Sequence, residues 1–416
     1  MSPRVLVSTP DLRPSLRSIL QGLADWGLLT RVATTISLSP RQIEVVSHIP
    51  IVGRRLVPAL ERRQTPAFLA GKVDRIWSRE LLRNASSRIT NPKVTHTIWE
   101  WAETSFDRIV ARRYGGHFDL IYGMEHSSAA TFAVQKASGG SCVLRQVVAH
   151  ARTINSVLHA ETARFPEFVT PYYRLLLANQ EKIALRKETE YHLADLIVAN
   201  SEYVRKTFIA NGISPARVVA VPTGCPPVDR VGARSGRGSG VLRFLYVGTV
   251  SLRKGFIYLL EAWCSAKFGA HAELWIAGNS ELDVEAKLRA EPNIRYFGTL
   301  SRGELCDVYR QVDVLVLPTL CEGLAHAVLE GLSFGLPVIT TEASGVGDLI
   351  VDGENGVIVP PGDVGALVSA MTRSIGRRAA LPSMGARSVE RARGWTRERS
   401  NSEHLNRLRE FLELQF

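Results

Sequence analysis

The chain has 416 residues, which predicts two or three domains rather than one. Its apolar fraction of 45% and charged fraction of 22% are those of a globular protein and exclude a disordered, collagen-like or coiled-coil chain. It has no run of about 18 apolar residues and no signal-peptide pattern, so we expect a cytoplasmic protein without a membrane-spanning helix. The five cysteines are scattered and never spaced Cys-x-x-Cys, which indicates reduced thiols and no zinc site.

The net charge of +11 indicates an anionic partner, and the excess is concentrated. Residues 54–93 contain ten basic and three acidic residues, and a second arginine-rich stretch covers residues 373–409. Apolar residues recur in the first stretch at roughly helical spacing: Leu56, Leu60, Phe68, Leu69, Val73, Ile76 and Trp77. This pattern predicts a basic helix, either lying on the inner face of an anionic membrane or covering a buried stripe with a solvated face. The sequence leaves both interpretations open.

Short apolar runs alternate with longer helical stretches through the first half of the chain, as in βαβ units with a parallel sheet. The predicted strands are residues 5–8, 32–36, 120–122, 143–148, 196–199 and 218–221. The predicted helices between them are residues 15–26, 127–138, 172–193 and 202–211.

The same alternation returns in the second half of the chain. Its predicted strands are residues 242–247, 273–277, 294–297, 314–317, 337–340 and 357–359. Its predicted helices are residues 254–267, 282–290, 302–310, 324–334 and 363–375. The stretch Thr223–Val241 between the halves is rich in Pro, Gly, Ser and Arg, which predicts a linker. Two doubly wound domains joined there would bind ligands in the cleft between them.

The stretch Asp313–Thr341 carries the densest chemical pattern. A buried strand ends at Pro318, a loop delivers Glu322 to the carboxyl edge of the sheet, and a helix that starts near Gly323–Leu324 carries Glu330. On one continuous helix the two carboxylates would lie up to about 12 Å apart. The unpaired amides at the helix start, those of Gly323, Leu324 and Ala325, would favour a phosphate between them. This layout suits a nucleotide-sugar, with ribose, diphosphate and sugar in a row.

Four stretches of the second half, which follow one another in the order found in the family, resemble glycosyltransferase family 4, the retaining enzymes with the GT-B fold. They are Arg243–Trp263, Ile294–Pro318, the Glu322/Glu330 segment and Gly345–Asp363. Asp195–Ile213 and Ala216–Cys225 in the first half also fit the family.

The resemblance implies two Rossmann-like domains facing a central cleft. An acceptor-binding domain would span residues 1–230 and a nucleotide-sugar-binding domain residues 241–390. Residues 231–240 would link them, and a terminal helix in residues 391–416 would return to the first domain.

The resemblance also implies site roles. Glu330 would hold the ribose hydroxyls, Glu322 the sugar hydroxyls, and Lys254 with Arg253 the departing diphosphate. The remaining donor-side residues it implies are Gly323, Leu324, Ala325, Gly248, Thr249 and Thr299. No metal or cofactor is expected, because cations follow the first strand of this half and no Asp-x-Asp pair occurs. Thr249 stands where relatives often have arginine, so Arg253 would have to replace that charge.

The first half offers weaker candidates, His150 for catalysis and His126, Arg13 and Arg17 on the acceptor side. His150 and His126 follow predicted strands, and His150 resembles the family histidine near the reacting sugar, although a lone histidine at a strand end is more often structural. The loop after the first strand lacks the glycine pair of many relatives, and Arg13 and Arg17 would supply charge there instead. Residues 40–115 resemble nothing in the family.

These patterns predict a metal-independent, retaining glycosyltransferase that uses a nucleotide-diphospho-sugar and a glycan or lipid-linked acceptor, as in bacterial surface polysaccharide or glycolipid synthesis. The alternatives are another GT-B enzyme such as a sugar-nucleotide epimerase, or an inactive nucleotide-sugar-binding scaffold. A nucleic-acid partner would explain the charge, but the basic segments contain no recognition module, so none is expected. The base, sugar and acceptor stay unspecified.

Overall fold

The computed structural model describes residues 3–12, 14–48, 60–61, 63–86, 92–228 and 240–415. These residues form two β-sheets, and every strand pairing recorded within either sheet is parallel. Arg13, which we predicted to face an acceptor, and residues 231–239 of the predicted linker lie outside the described residues.

The first sheet has seven strands in the order β3-β2-β1-β4-β5-β6-β7. They are β1 (Val5–Ser8), β2 (Leu29–Thr34), β3 (Val73–Arg75), β4 (Leu120–Met124), β5 (Ser141–Gln146), β6 (Leu196–Ala199) and β7 (Val218–Ala220). Its helices are α1 (Pro14–Asp25), α2 (Pro40–Ser47), α3 (Trp77–Ser86), α4 (Pro92–Tyr114), α5 (Ala129–Ala137), α6 (Ala151–Arg164), α7 (Pro171–Leu193) and α8 (Glu202–Ala210).

The second sheet has six strands in the order β10-β9-β8-β11-β12-β13. They are β8 (Leu242–Val247), β9 (Ala272–Ala277), β10 (Ile294–Tyr296), β11 (Val314–Leu317), β12 (Val338–Thr340) and β13 (Gly356–Ile358). Its helices are α9 (Phe256–Ala266), α10 (Glu285–Ala290), α11 (Arg302–Gln311), α12 (His326–Ser333), α13 (Val364–Gly376), α14 (Leu381–Gly394) and α15 (Arg397–Gln415).

The strands predicted from short apolar runs are present, because such runs are buried on both faces of a parallel sheet. The predicted elements did not include strand β3 or helices α2, α4, α6 and α14. β3 is a three-residue edge strand of half-exposed residues, so it has no apolar run. α4 and α6 have weak apolar periodicity, since each faces solvent over much of its surface.

The prediction of one basic helix across residues 54–93 is wrong for the described part of that stretch. A 3₁₀ turn at Ala67–Leu69, strand β3 and helix α3 follow one another there. Leu69 and Ile76 are buried and Val73 pairs with β2, so these members of the supposed stripe serve the sheet and its core. Trp77, by contrast, is 58% exposed.

The contacts that join the halves include two apolar ones. Phe165, Phe168 and Val169, between α6 and α7, are buried in the hydrophobic core of the second sheet. α15 crosses back and packs against α1, with Leu408 and Leu412 in the core of the first sheet. None of the described helices combines the length and apolarity that a membrane span requires.

Candidate active site

A cleft of about 620 Å³ lies at the carboxyl ends of strands from both sheets. The first sheet contributes Met124, Arg145, Asn200 and other residues at the ends of β4 to β7. The second sheet contributes Glu322, Leu324 and His326, and the first turns of α15 contribute Arg397, Glu398, Ser400, Asn401 and His404. Because helix dipoles and loop amides also converge at this edge of an open α/β sheet, it is the expected place for a ligand.

Two cations hold the Glu322 carboxylate at this edge. Arg253 Nη1 lies 3.0 Å from Glu322 Oε1 and donates also to the Cys321 carbonyl oxygen, at 2.8 Å. Lys254 Nζ pairs with Glu322 Oε2. Burial raises the pKa of the Glu322 carboxyl, but Arg253 and Lys254 outweigh it and the pKa lies below its ordinary value. The carboxylate is therefore ionised and forms ion pairs with both cations.

This cluster is fixed by contacts between the β8–α9 loop and the β11–α12 loop. The Leu320 amide donates to the Arg253 carbonyl oxygen at 2.9 Å, and the Thr319 hydroxyl donates to the same oxygen at 3.1 Å. Gly255 has a positive φ of 66°, and a Cβ there would lie 1.9 Å from the Pro318 carbonyl oxygen. Only glycine permits this close approach, which holds the two cations beside Glu322.

The start of the glutamate helix differs from the prediction. α12 begins at His326 and not near Gly323–Leu324, so Glu322 lies in the preceding loop. The Ala325 amide donates to the Ser344 carbonyl oxygen at 2.8 Å, so the prediction that it is unpaired is wrong. The Gly323 amide donates to Oε1 of the preceding residue, Glu322, at 3.4 Å.

The loop itself packs against the first half of the chain. Ser201 donates to the Gly323 carbonyl oxygen at 2.6 Å, and a Cβ on Gly323 would lie 1.8 Å from the Val147 carbonyl oxygen. Leu324 is 4% exposed and lines the cleft. These contacts with the first sheet, absent from any local sequence pattern, hold the loop before α12 in a non-helical conformation.

Glu330 lies on α12 within a second charged group. It pairs with Arg302 at the start of α11, and the Tyr309 hydroxyl lies 3.1 Å from Glu330 Oε2. Tyr309 is 1% exposed and stacks on Phe334 with ring centroids 4.9 Å apart. The packed tyrosine thus fixes the orientation of one carboxylate oxygen while Arg302, whose side chain is 64% exposed, covers the other.

The other predicted donor-side residues lie on neighbouring loops. Gly248 follows β8, and a Cβ on it would lie 3.8 Å from Lys254 Cε. Thr249 Oγ1 is 3.2 Å from Asn279 Oδ1, so this hydroxyl is bound to the β9 loop. Thr299 is exposed in the loop after β10. The structure brings Gly248 to the cation cluster and leaves Thr299 apart from it in the described contacts.

Three residues near the site were missed by sequence reasoning. Glu281 follows β9, and its pKa is raised by burial and lowered in part by Arg253 and Lys254. Tyr203 on α8 brings its hydroxyl to Cys321 and lies near Glu322. His326, the first residue of α12, lines the cleft, and burial lowers its pKa. His326 lies in the segment between Glu322 and Glu330, so its position after a predicted strand could have identified it. No sequence pattern pointed to Glu281 or Tyr203.

The structure does not place His150 on the cleft wall, which corrects the expectation for this residue. His150 is 2% exposed, and its ring packs on Tyr191 and Phe208 at 4.9 and 5.0 Å. Its Nδ1 accepts the Arg152 amide at the start of α6. Burial lowers the pKa of His150 to about 4. The residue is a neutral, enclosed helix cap, because two aromatic side chains from distant helices close over it.

His126 and Arg17 are also held by other contacts. His126 has a positive φ of 73°, its amide donates to Glu190 Oε2 at 2.9 Å, and Arg186 Nη2 lies 3.3 Å from its Nδ1. Burial lowers its pKa well below the ordinary value. Arg17 donates to the Leu12 and Gln64 carbonyl oxygens, which ties α1 to the loop before β3. Neither lines the cleft.

Comparison with known proteins adds a family match over part of the chain. Residues 242–376, about a third of the chain, match the family described as Glycosyl transferases group 1. A Klebsiella pneumoniae protein named as an uncharacterized 41.2 kDa protein in the cps region is 26% identical over 264 residues, 61% of this chain and 68% of its own length. The amylovoran biosynthesis glycosyltransferase AmsK of Erwinia amylovora is 29% identical over 144 residues, 32% of this chain and 35% of that protein.

Solved structures extend the likeness to the whole chain. Sucrose-phosphate synthase from Thermosynechococcus elongatus superposes with a TM-score of 0.61 at 17% identity, over 100% of both chains. Anabaena HepE in complex with UDP-glucose superposes with a TM-score of 0.58 at 14% identity, over 98% of this chain and 100% of HepE. The chain has the GT-B fold. The predicted fold class, two doubly wound domains facing a cleft, is therefore confirmed.

Proposed function

We propose that the protein is a retaining glycosyltransferase that transfers a sugar from a nucleotide-diphospho-sugar to a glycan or lipid-linked acceptor. The observation that carries this proposal is the cluster of Glu322, Arg253 and Lys254, in which Glu322 lines the cleft. It lies within the segment that matches the glycosyl transferase family model. One buried carboxylate paired with two cations offers groups for both the hydroxyls and the diphosphate of such a donor.

Donor binding would change the partners of these charges. Arg253 and Lys254 pair with the diphosphate, and Glu322 then accepts hydrogen bonds from sugar hydroxyls. Glu330, oriented by Tyr309, accepts from the ribose hydroxyls once Arg302 moves aside. The cations supply the stabilisation that a divalent metal ion would otherwise give to the leaving group, so the reaction proceeds without metal.

The chemical step needs no separate base. The bond between the anomeric carbon and the diphosphate oxygen breaks, and the acceptor oxygen bonds to that carbon on the same face. The acceptor proton passes to the departing diphosphate, whose charge Lys254 and Arg253 hold. His150 has no part in this step, because its ring is enclosed away from the cleft.

The relatives support the class of substrate. HepE was solved in complex with UDP-glucose, and AmsK is named for the biosynthesis of a polysaccharide, amylovoran. A UDP-sugar donor and a surface polysaccharide or glycolipid product are the corresponding proposals for this chain.

The test is a thermal-shift panel of nucleotide-sugars followed by a transfer assay with the stabilising donor. A donor at 100 times its Kd should stabilise the protein by about 2.7 kcal/mol. The anomeric configuration of the product, read by NMR, should match that of the donor, and excess EDTA should leave the rate unchanged. Binding without transfer to any glycan or lipid acceptor would instead indicate an inactive nucleotide-sugar-binding protein, and an inverted product would contradict the mechanism.

We also propose that the protein attaches to the inner face of an anionic membrane through α3 and α4. Of nine large apolar side chains that are exposed among the described residues, five lie on these helices: Trp77, Leu82, Val94, Trp99 and Trp101. Arg83 lies over the Trp99 ring at 5.1 Å, so cation and aromatic ring share one surface. Tryptophan and arginine together favour the lipid–water interface.

Co-sedimentation with liposomes tests this attachment. Anionic vesicles at low salt should bind the protein, and 1 M salt should release it, since the Debye length then falls to about 3 Å. The double variant Trp77→Ala/Trp99→Ala should bind at least tenfold less, while Leu185→Ala, which changes an exposed apolar residue on α7, should bind as the wild type does. Equal absence of binding to anionic and neutral vesicles would contradict the proposal.

A further inference from the structure

Two polar side chains of the first sheet face the cleft without a role in donor binding. Arg145 lies near the carboxyl end of β5, and Asn200 directly follows β6. Both line the same cleft as Glu322. Each has an atom that is enclosed and has no hydrogen-bond partner among the described residues, Arg145 Nη1 and Asn200 Oδ1.

Arg145 is a cation without a counter-ion. Within the described part of the chain it forms no ion pair, although three carboxylates, those of Asp11, Glu322 and Glu398, line the same cleft. Arg145 is partly buried, and its enclosed Nη1 makes no hydrogen bond among the described residues, which is unfavourable and which an anionic ligand would relieve.

The neighbours of Arg145 keep its charge uncompensated. Burial raises the pKa of Tyr122 to about 12, and the nearby guanidinium only partly opposes this. The pKa of His404 lies well below its ordinary value, because the ring is buried and Arg145 is close. The Tyr122 hydroxyl lies 3.0 Å from His404 Nε2 and also shares a hydrogen bond with the Arg145 side chain, but neither neutral ring supplies a counter-ion.

Asn200 provides a hydrogen-bond acceptor, Oδ1, whose orientation is fixed. The side chain is 7% exposed, and its Nδ2 donates to the Val147 carbonyl oxygen at 2.9 Å. That bond fixes the amide, so Oδ1 is left to accept a hydrogen bond from a ligand hydroxyl. The next residue, Ser201, holds the Gly323 carbonyl oxygen, so Asn200 lies beside the loop that carries Glu322.

We propose that Arg145 and Asn200 form an acceptor subsite for a phosphate-bearing sugar or lipid, in which Arg145 binds the phosphate and Asn200 Oδ1 accepts from a hydroxyl. The assignment rests on the proposed glycosyltransferase function, which makes the cleft an acceptor site. An arginine fork binds a phosphate through two parallel N–H···O bonds, and the enclosed wall strengthens both. The shared chemistry is the phosphate group, carried either by a soluble sugar or by a lipid anchor.

The experiment measures binding of small probes to the full chain by calorimetry, without any donor. Glucose 6-phosphate and farnesyl diphosphate represent the soluble and the lipid source, and glucose and glucuronate are the comparison ligands. At least one phosphate probe should bind, at least tenfold more tightly than glucose and glucuronate. The tighter of the two phosphate probes identifies the source. Tighter binding of glucuronate, or no binding of either phosphate probe, would overturn the assignment.

Variants separate this subsite from the donor site and from folding. Arg145→Gln should weaken the phosphate probe at least tenfold without lowering the Tm, since Arg145 forms no ion pair among the described residues, and Arg145→Lys should restore part of the affinity. Arg217→Gln is the matched control: Arg217 donates to the backbone carbonyl oxygens of Tyr191 and Ala194, so its loss should lower the Tm and leave probe binding unchanged.

Asn200→Asp should weaken the phosphate probe further than Asn200→Ala, because it sets a carboxylate beside the phosphate. Lys254→Met should leave the probe affinity unchanged. If Lys254→Met and not Arg145→Gln abolished probe binding, the phosphate would occupy the donor site and the subsite would be refuted. Probe binding needs no sugar transfer, so failure of the proposed reaction and failure of this subsite are separate results.

Discussion

The charged side chains at the two edges of the cleft differ in whether they form ion pairs. At the edge of the second sheet, Glu322 is paired with two cations and Glu330 with a third. At the edge of the first sheet, Arg145 has no ion pair and Asn200 Oδ1 no hydrogen bond among the described residues. An ion-paired carboxylate can exchange its cations for ligand groups at little electrostatic cost. A cation without an ion pair is stabilised only when an anion binds to it. The comparison supports the proposed donor edge at the second sheet and the proposed acceptor edge at the first.

The largest expected effect comes from removing the carboxylates of the donor edge. Glu322→Ala and Glu330→Ala should each reduce transfer at least about 100-fold, because each removes several charge-assisted hydrogen bonds worth about 1.5–3 kcal/mol apiece. Initial rates with saturating acceptor measure this. Glu285→Gln, which alters an exposed carboxylate paired with Arg289 on α10, is the control and should keep wild-type rates. Full turnover by either alanine variant would refute the donor-edge assignment.

A smaller loss is expected when one cation of the donor edge is removed. Lys254→Met should lower kcat by about 10- to 100-fold, since one charge-assisted contact to the leaving diphosphate is lost while Arg253 remains. The wild type should keep its rate in excess EDTA. Activity that vanished on chelation and returned with magnesium or manganese would show that the cations do not replace a metal ion.

The pH dependence of stability extends the comparison to carboxylates away from the cleft. Burial raises the pKa of Glu190, in the first half, to about 8, against an ordinary value of 4.5. The folded state therefore binds more protons than the unfolded state between those values, and this contribution to stability is full below pH 4.5 and lost as pH rises towards 8. One such proton changes the free energy of unfolding by at most about 1.4 kcal/mol per pH unit.

Urea unfolding between pH 5 and pH 8 measures this slope. Glu190→Gln should flatten it, because the amide does not titrate in that range. Glu322 has the opposite shift, so its ion pairs stabilise the fold above its pKa and lose their strength only in acid. An unchanged slope in Glu190→Gln would assign the pH dependence to other groups, of which Glu103, with its pKa raised by burial to about 7, is the next to test.

The smallest expected effect concerns the orientation of Glu330. Tyr309→Phe removes the hydroxyl that lies 3.1 Å from the carboxylate but keeps the stacking on Phe334. A neutral hydrogen bond contributes about 0.5–1.5 kcal/mol, so the KM for the donor should rise about two- to tenfold with kcat nearly unchanged. An equal fall in kcat, with KM unchanged, would place Tyr309 in the chemical step instead.

The sequence by itself determined the fold class and predicted the residues of the proposed donor edge. Parallel strands that are buried on both faces have continuous apolar sequences. The positions of β8 and β11 could therefore be predicted from residues 242–247 and 314–317 alone. The strand pattern predicted Glu322 at the carboxyl edge of the sheet, and the family resemblance implied that Arg253 and Lys254 share its site. The start of α12 was missed, because the Ala325 amide is bound by the distant Ser344 and not by its own helix.

Only the tertiary structure decided the state of each charge. That Glu322 is bound directly by both cations depends on two loops held together by Gly255 and Pro318, some 60 residues apart in the chain. His150 is enclosed because Tyr191 and Phe208 pack over it. The acceptor edge joins Arg145, Asn200 and α15, which are far apart in sequence and share no local pattern. The ion pairs and the burial of a side chain depend on which distant segments pack against it. The periodicity of the sequence therefore does not predict them.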